Sequence, residues 1–327
     1  MQAWLLPAFT GIQNLQLAEL PEPAAGPGEV LLRVHFAALN PADRYLAEGQ
    51  YPARPPLPHI LGRDGIGMVT EVGPGVHGIL TGEKYAILRG EVGVSRPGTF
   101  AQRVAVPAES LISPPPLWTD EEAAGATLVY LTAYQALTQW GALPPGVLLI
   151  TGASGGVGTA SLQLGKALGH TVAALSRSAN KRSRLTQLGA DVVLDPADPD
   201  WPRQLKQSIS PRRVDLAIDN IGGELFSQVL DTLGEGGKVS VVGRLAGEVP
   251  AFNTAALLFR RLRVGGVAVG AYTNAESRSA WSEVLALLAK TGAKPLLDAV
   301  FPFAELPAAF AKLASGPMGK VLLRVGG

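Results

Sequence analysis

Leu148-Leu149-Ile150-Thr151-Gly152-Ala153-Ser154-Gly155-Gly156-Val157-Gly158-Thr159-Ala160 decides how this chain is read. An apolar run enters the stretch and a helical pattern leaves it. Between them, Ala153, Gly155 and Gly158 fall as A-x-G-x-x-G. A strand that turns this tightly into a helix presents free backbone N–H groups and the positive end of the helix, and both suit a pyrophosphate. The residues expected to cradle it are Ala153, Ser154, Gly155, Gly156, Val157 and Gly158. Gly155 lets the backbone approach the phosphates, and Gly158 lets the helix pack close on the strand. Ala153 stands where the dinucleotide fingerprint has its first glycine. The alternative is a glycine-rich turn with no ligand.

Outward from this loop, short apolar runs alternate with helical ones. The expected strands are 147–151, 171–175, 191–194, 214–218, 238–242 and 262–269. Several intervening helices are expected to stop at glycine: Gly169, Gly189, Gly234 and Gly292. Continuous apolar strands between helices predict a parallel sheet covered on both faces, an α/β doubly wound fold. The first third reads differently, with strand-like runs at 30–34, 67–72, 84–88 and 102–106 separated by Gly and Pro turns. A partly open β-rich barrel is expected there. Ser113-Pro114-Pro115-Pro116 is a stiff boundary, and Thr119 with Glu122 forms a capping box for the helix that follows. At the other end, 303–315 reads as a helix and 319–325 as a last strand that returns to the first domain.

Composition narrows the classes of function. The chain has 327 residues, 47% hydrophobic and 17% charged, enough for two well-covered cores. A formal net charge of +1 gives no field for nucleic acid. Cysteine is absent, which excludes disulfides and thiolate metal sites. The four histidines, His35, His59, His77 and His170, are not spaced as a zinc-binding pair. No apolar stretch approaches the ~20 residues of a membrane span, and no secretory signal is recognisable, so a cytoplasmic protein is expected.

The second strand of the fold discriminates between cofactors. NAD calls for a carboxylate about 20 residues past the glycines, on the adenosine ribose. Here the strand ends Ser176-Arg177-Ser178, with Lys181, Arg182 and Arg184 following. A hydroxyl and cations suit the 2′-phosphate of NADPH. Ser176, Arg177 and Lys181 are the expected partners; a solvated basic helix face is the alternative.

With these segments in view, the chain resembles the medium-chain dehydrogenase/reductase superfamily, in particular its zinc-independent quinone oxidoreductase (zeta-crystallin-like) branch. The likeness lies in Asn40-Pro41-Ala42-Asp43-Arg44-Tyr45 with Tyr51, in Leu61-Gly62-Arg63-Asp64-Gly65-Ile66-Gly67, and in Leu131-Thr132-Ala133-Tyr134. It continues through Gly152–Gly158, Asp219-Asn220-Ile221-Gly222-Gly223 and Gly319-Lys320-Val321. The resemblance implies a GroES-like catalytic domain from 1–119 and 293–327 and a Rossmann NADPH-binding domain from 120–292. It implies a homodimer made partly by pairing the last Rossmann strand, at 264–269. Thr132, Asn220, Val242, Gly243, Val267 and Val269 are implied around the cofactor, and Asn40, Tyr45 and Tyr51 as catalytic residues.

Zinc-dependent members hold their catalytic metal with Cys, His and Cys. The corresponding positions here read Asn40, Arg63 (of the Arg63-Asp64 pair) and a residue near Leu128. Without thiolates or a suitable imidazole, zinc is not expected to act there as a Lewis acid. The resemblance then implies hydride transfer from NADPH to a quinone or an α,β-unsaturated carbonyl, with the protein donating hydrogen bonds to the oxygen that gains charge. A 2-enoyl thioester reductase and a non-catalytic NADPH-binding protein are the alternatives. Arg63 either binds an acidic group or pairs structurally with Asp43 or Asp64, and His59 is either a proton donor or a loop residue.

Overall fold

The structure, a computed structural model, describes residues 1–88, 91–247 and 254–326. The chain divides into two compact units. One comprises Met1–Leu128, Gly270–Ser279 and Lys294–Gly327; the other comprises Val129–Val269 and Ala280–Ala293.

The first unit begins with β1 (Gln2–Leu6), β2 (Gln16–Glu19), β3 (Glu29–Ala38), β4 (His59–Ile60), β5 (Gly65–Val72), β6 (Lys84–Ile87), β7 (Arg103–Pro107) and β8 (Leu111–Ile112). Helix α1 (Pro41–Ala47) follows β3, and α2 (Asp120–Ala124) follows β8. Strand β3 is the spine. One of its edges pairs antiparallel with β5, and the other pairs with β7 over Glu29–Arg33. Register shifts between Leu31 and Leu32 and between Val34 and Phe36 interrupt the β3–β5 ladder. Irregularities of that kind bend a strand and let a sheet curl around its core. That core holds Trp4, Leu32, Phe100, Val104 and Phe310, with the rings of Phe100 and Phe310 edge to face at 5.9 Å. Each such side chain contributes about 1.5–3 kcal/mol when fully buried.

The second unit is the α/β fold read from the glycine loop. Its strands are β9 (Val147–Ile150), β10 (Thr171–Leu175), β11 (Val192–Leu194), β12 (Val214–Asp219), β13 (Leu233–Val241) and β14 (Arg263–Gly266). They pair in parallel in the order β11-β10-β9-β12-β13-β14. Helices α3 (Thr127–Thr138), α4 (Gly156–Ala167), α5 (Ala179–Gln187), α6 (Trp201–Ile209), α7 (Glu224–Thr232) and α8 (Ala255–Phe259) accompany them. Every residue of β9 is buried, as a strand covered on both faces requires. The strand order reverses between β9 and β12, and ligands of open parallel sheets bind at the carboxyl ends of the strands at such a switch.

After α9 (Asn274–Thr291), the chain adds β15 (Leu297–Pro302), α10 (Leu306–Ala314) and β16 (Lys320–Arg324) to the first unit. Strand β16 pairs β3 at Phe36–Ala38, so the last strand does return to the first domain.

Several details differ from the sequence reading. The strand expected at 262–269 extends only over Arg263–Gly266; Val267 makes one more bond to the Val241 carbonyl, and Val269 opens a 3₁₀ turn. Gly169, Gly189 and Gly292 have the positive φ of a helix stop, but Gly234 already lies in β13. The expected helix at 303–315 opens as a 3₁₀ turn over Phe303–Glu305. The unit boundaries also shift. Helix α2 packs on β3, β5 and β6, and Asp120 pairs with Lys84 and His35, which joins Asp120–Leu128 to the first unit. Arg278 donates to the Glu109 and Leu111 carbonyls, which joins Gly270–Ser279 to it as well.

Candidate functional site

The glycine loop sits at the carboxyl end of β9. Gly152 takes a φ of 57°, so the tight turn falls one residue before Ala153, which is itself fully buried. Gly155 caps α4 in an extended conformation, and a Cβ there would meet only the Gly152 carbonyl oxygen, at 3.5 Å. The space over Gly155 is therefore open to a ligand. A Cβ on Gly158 would lie 2.4 Å from that same oxygen and 2.6 Å from Ala153 Cα. Glycine is required there for the helix to reach the strand. The first N–H groups of α4 have no partner within the helix, as at any helix start. Ser154, Gly156 and Val157 are half-buried around this opening.

The neighbouring strand ends are tied to one another. Thr151 Oγ1 donates to Asp219 Oδ1 at 2.6 Å, and Asn220 Nδ2 donates to the Thr151 carbonyl at 2.8 Å. The Asp219 carboxylate also receives the Gly222 N–H, and the Asp219 carbonyl receives those of Val242 and Gly243. Asn220 Oδ1 is buried with no partner among the described residues. It is an acceptor held at the ligand end of the sheet. Val267 is half-buried and Val269 buried beyond the end of β14, while Thr132 is half-buried on α3. Past β10, Ser176 is buried, Arg177 exposed and Lys181 half-buried. Arg182 is committed elsewhere: it donates to the Ser176 carbonyl and pairs with Asp195 at 2.8 Å.

In the first unit, Asn40, Asp43, Tyr51, Arg63, Asp64, Thr127 and Lys320 form one network. Asn40 begins α1, with its N–H donating to Asp43 Oδ2 at 2.8 Å. Its side chain is not turned to solvent. Oδ1 accepts from Lys320 Nζ at 2.7 Å, and Nδ2 donates to the Ala38 carbonyl. The Lys320 ammonium completes its three bonds with the Leu39 carbonyl at 3.0 Å and Asp64 Oδ2 at 3.3 Å. Thr127 Oγ1 lies 2.8 Å from Asp64 Oδ1. Asp43 and Asp64 are fully buried, and Lys320 is 4% exposed. Burial pushes the Asp43 carboxyl above its ordinary pKa, and the Arg63 guanidinium opposes that rise. Arg63 pairs with Asp43 at 3.4 Å and donates from Nη1 to Tyr51 Oη at 3.2 Å. Tyr45 is half-buried, with the Arg44 guanidinium 5.2 Å from its ring centre.

The positions that the resemblance aligns with zinc ligands thus carry an amide already engaged at Asn40, a guanidinium at Arg63 and, near the third, the alkyl side chain of Leu128. These do not fit a zinc ion, which needs thiolate, imidazole or carboxylate donors. Among the described residues, no three His, Cys, Asp or Glu side chains are grouped to hold a metal. His59 is buried in β4, and burial lowers its pKa, so the imidazole is held neutral. Lys320 is the residue that sequence reasoning did not assign. Its signal was present: a lysine directly before the buried apolar run Val321–Leu323.

Residues 26–116 match the alcohol dehydrogenase GroES-like domain, and 156–290 match the zinc-binding dehydrogenase domain. The synaptic vesicle membrane protein VAT-1 homolog of Rattus norvegicus is 33% identical over 99% of this chain and 84% of its own length. The chain belongs to the medium-chain dehydrogenase/reductase superfamily. A solved structure of an NAD-dependent alcohol dehydrogenase matches with a TM-score of 0.90 and 30% identity over 100% of both chains. Escherichia coli quinone oxidoreductase, solved with NADPH, matches with a TM-score of 0.90 and 26% identity over 99% of this chain and 100% of its own. The protein is an oxidoreductase of this superfamily, built for a nicotinamide cofactor and a small-molecule substrate. The glycine loop fits such a cofactor: a Cβ-free opening, a helix start and an unpaired buried acceptor converge there.

Proposed function

We propose that the protein is an NADPH-dependent reductase of quinones or α,β-unsaturated carbonyls that works without a metal. The observation that carries this reading is the side-chain set at Asn40, Arg63 and near Leu128, an amide engaged by Lys320 and Ala38, a guanidinium and an alkyl group, which gives no metal ligand, while the Tyr51 hydroxyl beside Arg63 gives a hydrogen-bond donor. When bound, NADPH supplies a hydride from its nicotinamide. The backbone of 153–158 would hold the pyrophosphate, and Asn220, Val242, Gly243, Val267, Val269 and Thr132 would flank the rest of the dinucleotide. Ser176, Arg177 and Lys181 would receive the 2′-phosphate; one well-formed charge-assisted bond contributes roughly 1.5–3 kcal/mol.

Tyr51 is the group we assign to the substrate oxygen. Its Oη accepts from Arg63, which leaves the phenolic proton free to be donated. Asn40 acts as a positioning residue through Lys320, and Tyr45 lines the same region. A cytoplasmic location is part of this proposal; among the described residues, no helix is long and apolar enough to cross a membrane. The β14 edge, with Val264 exposed, supports a homodimer formed by strand pairing.

The test is a panel of a quinone, an enone and a crotonyl thioester, read as NADPH oxidation. Turnover of the quinone or enone is expected. Preference for the thioester makes the protein an enoyl thioester reductase, and binding of NADPH with no turnover makes it a non-catalytic binder. In the same experiment NADPH should bind at least about tenfold tighter than NADH, since 1.4 kcal/mol is a factor of ten. Ser176→Asp with Arg177→Ala should reverse that order.

A further inference from the structure

One buried nitrogen of the Arg63 guanidinium lacks an acceptor among the described residues. The side chain's Nε faces Asp43 Oδ1, its Nη1 donates to Tyr51 Oη, and its ring contact with Tyr51 is 4.8 Å from guanidinium carbon to ring centre. Nη2 is buried and has no partner among the described residues, although the side chain is only 9% exposed. A buried donor without an acceptor is rare in native proteins and calls for a reason. Two features keep the guanidinium fixed while leaving that buried nitrogen without an acceptor. Asp43 is anchored by the Asn40 N–H at the start of α1. Tyr51 lies against the core of the same unit. The fork cannot swing to saturate Nη2 without abandoning one of them.

We propose that Arg63 is a catalytic oxyanion donor, binding the carbonyl oxygen of a conjugated acceptor through Nη2 alongside the Tyr51 hydroxyl. The substrate class follows from the charges. Arg63 and Lys320 are matched by Asp43 and Asp64, so the network would hold a negative oxygen through its directed donors and not through net positive charge. It suits a neutral carbonyl that becomes negative during reaction. As hydride reaches the β-carbon, the C=C π pair shifts toward the carbonyl, and the oxygen becomes an enolate. Water would then protonate the α-carbon and leave as hydroxide, so that one hydride supplied by bound NADPH and one proton are added across the C=C bond. A planar guanidinium fixed before the reaction stabilises that oxygen without reorganising. This inference deepens the reductase reading and rests on it for the reaction, but not for the binding of an oxyanion.

The test separates the two. The probe is 4-nitrophenol, added to the protein saturated with NADP⁺, with its phenolate followed by absorbance. The native protein should favour the phenolate over the phenol, lowering the apparent ionisation pH of the bound probe. Arg63→Met should weaken phenolate binding at least about tenfold and lower enone turnover roughly 100-fold, the range for loss of an oxyanion donor. NADPH affinity should not change. Because Arg63→Met strands Asp43, the double variant Asp43→Asn with Arg63→Met provides a neutral, folded comparison with the same loss expected. Arg63→Lys, a point charge without the fork, should recover only part of it. No phenolate preference in the native protein, or native-like phenolate binding in the double variant, would overturn the proposal. Arg63-dependent phenolate binding with no conjugated acceptor turned over would instead remove the reductase reading and leave the oxyanion site standing.

Discussion

The glycine loop and the Lys320 network solve opposite problems by opposite means. The loop binds through main chain: Gly152 turns, Gly155 opens space, Gly158 permits contact, and the start of α4 supplies N–H groups. Its parts lie within seven consecutive residues. The network works through side chains from Asn40, Asp64, Thr127 and Lys320, up to 280 residues apart. Neutrality comes from pairing charges in the dark, which is stable only while every partner is present. A backbone site is defined by what its residues lack; a charge network is defined by what each residue finds.

The comparison breaks most visibly if one charge is removed. Lys320→Met leaves Asp64 fully buried without its cation and Asn40 without its donor. A loss of about 3–5 kcal/mol in unfolding free energy is expected, as for breaking a buried ion pair. Adding Asp64→Asn should recover a large part of it. An exposed pair such as Arg203–Asp200 should matter only by about 0–1 kcal/mol. If Lys320→Met costs no more than disrupting that surface pair, the network is not what holds this region together.

That asymmetry also explains what could be read in advance. The parallel sheet was legible because buried strands such as 147–150 and 171–175 are continuous apolar runs, and because the glycine spacing is local. Thr119 and Glu122 form the expected capping box, again a contact three residues apart. Strand β15 was not legible: Asp298 interrupts its apolar pattern, and among the described residues its strand partner is β16 alone. The position of Asn40 was not legible either. An Asn before Pro announces a turn, but nothing near it in sequence announces a lysine ammonium at 2.7 Å. The sequence left Arg63 either binding an acidic group or pairing with Asp43 or Asp64; the choice of Asp43, and the buried Nη2 without a partner, are visible only in three dimensions.

The loop gives the smaller effect in stability and the sharper one in binding. Gly158→Ala places a methyl group against main-chain atoms that cannot rotate away. About 1–3 kcal/mol of destabilisation is expected from overpacking. Because the helix start must shift, NADPH affinity should fall at least about tenfold, as seen by fluorescence titration. Native affinity in a folded Gly158→Ala protein would show that the loop does not set the cofactor's position.

Metal-free hydride transfer from NADPH to a conjugated carbon is the reaction proposed for this protein. Its most direct measurement uses NADPH deuterated on the transferred C4 position, an enone acceptor, and protein treated with a zinc chelator. One deuterium is expected on the β-carbon of each product molecule, at the rate seen without chelator. Product lacking deuterium, or a rate abolished by chelator and restored by zinc, would contradict it.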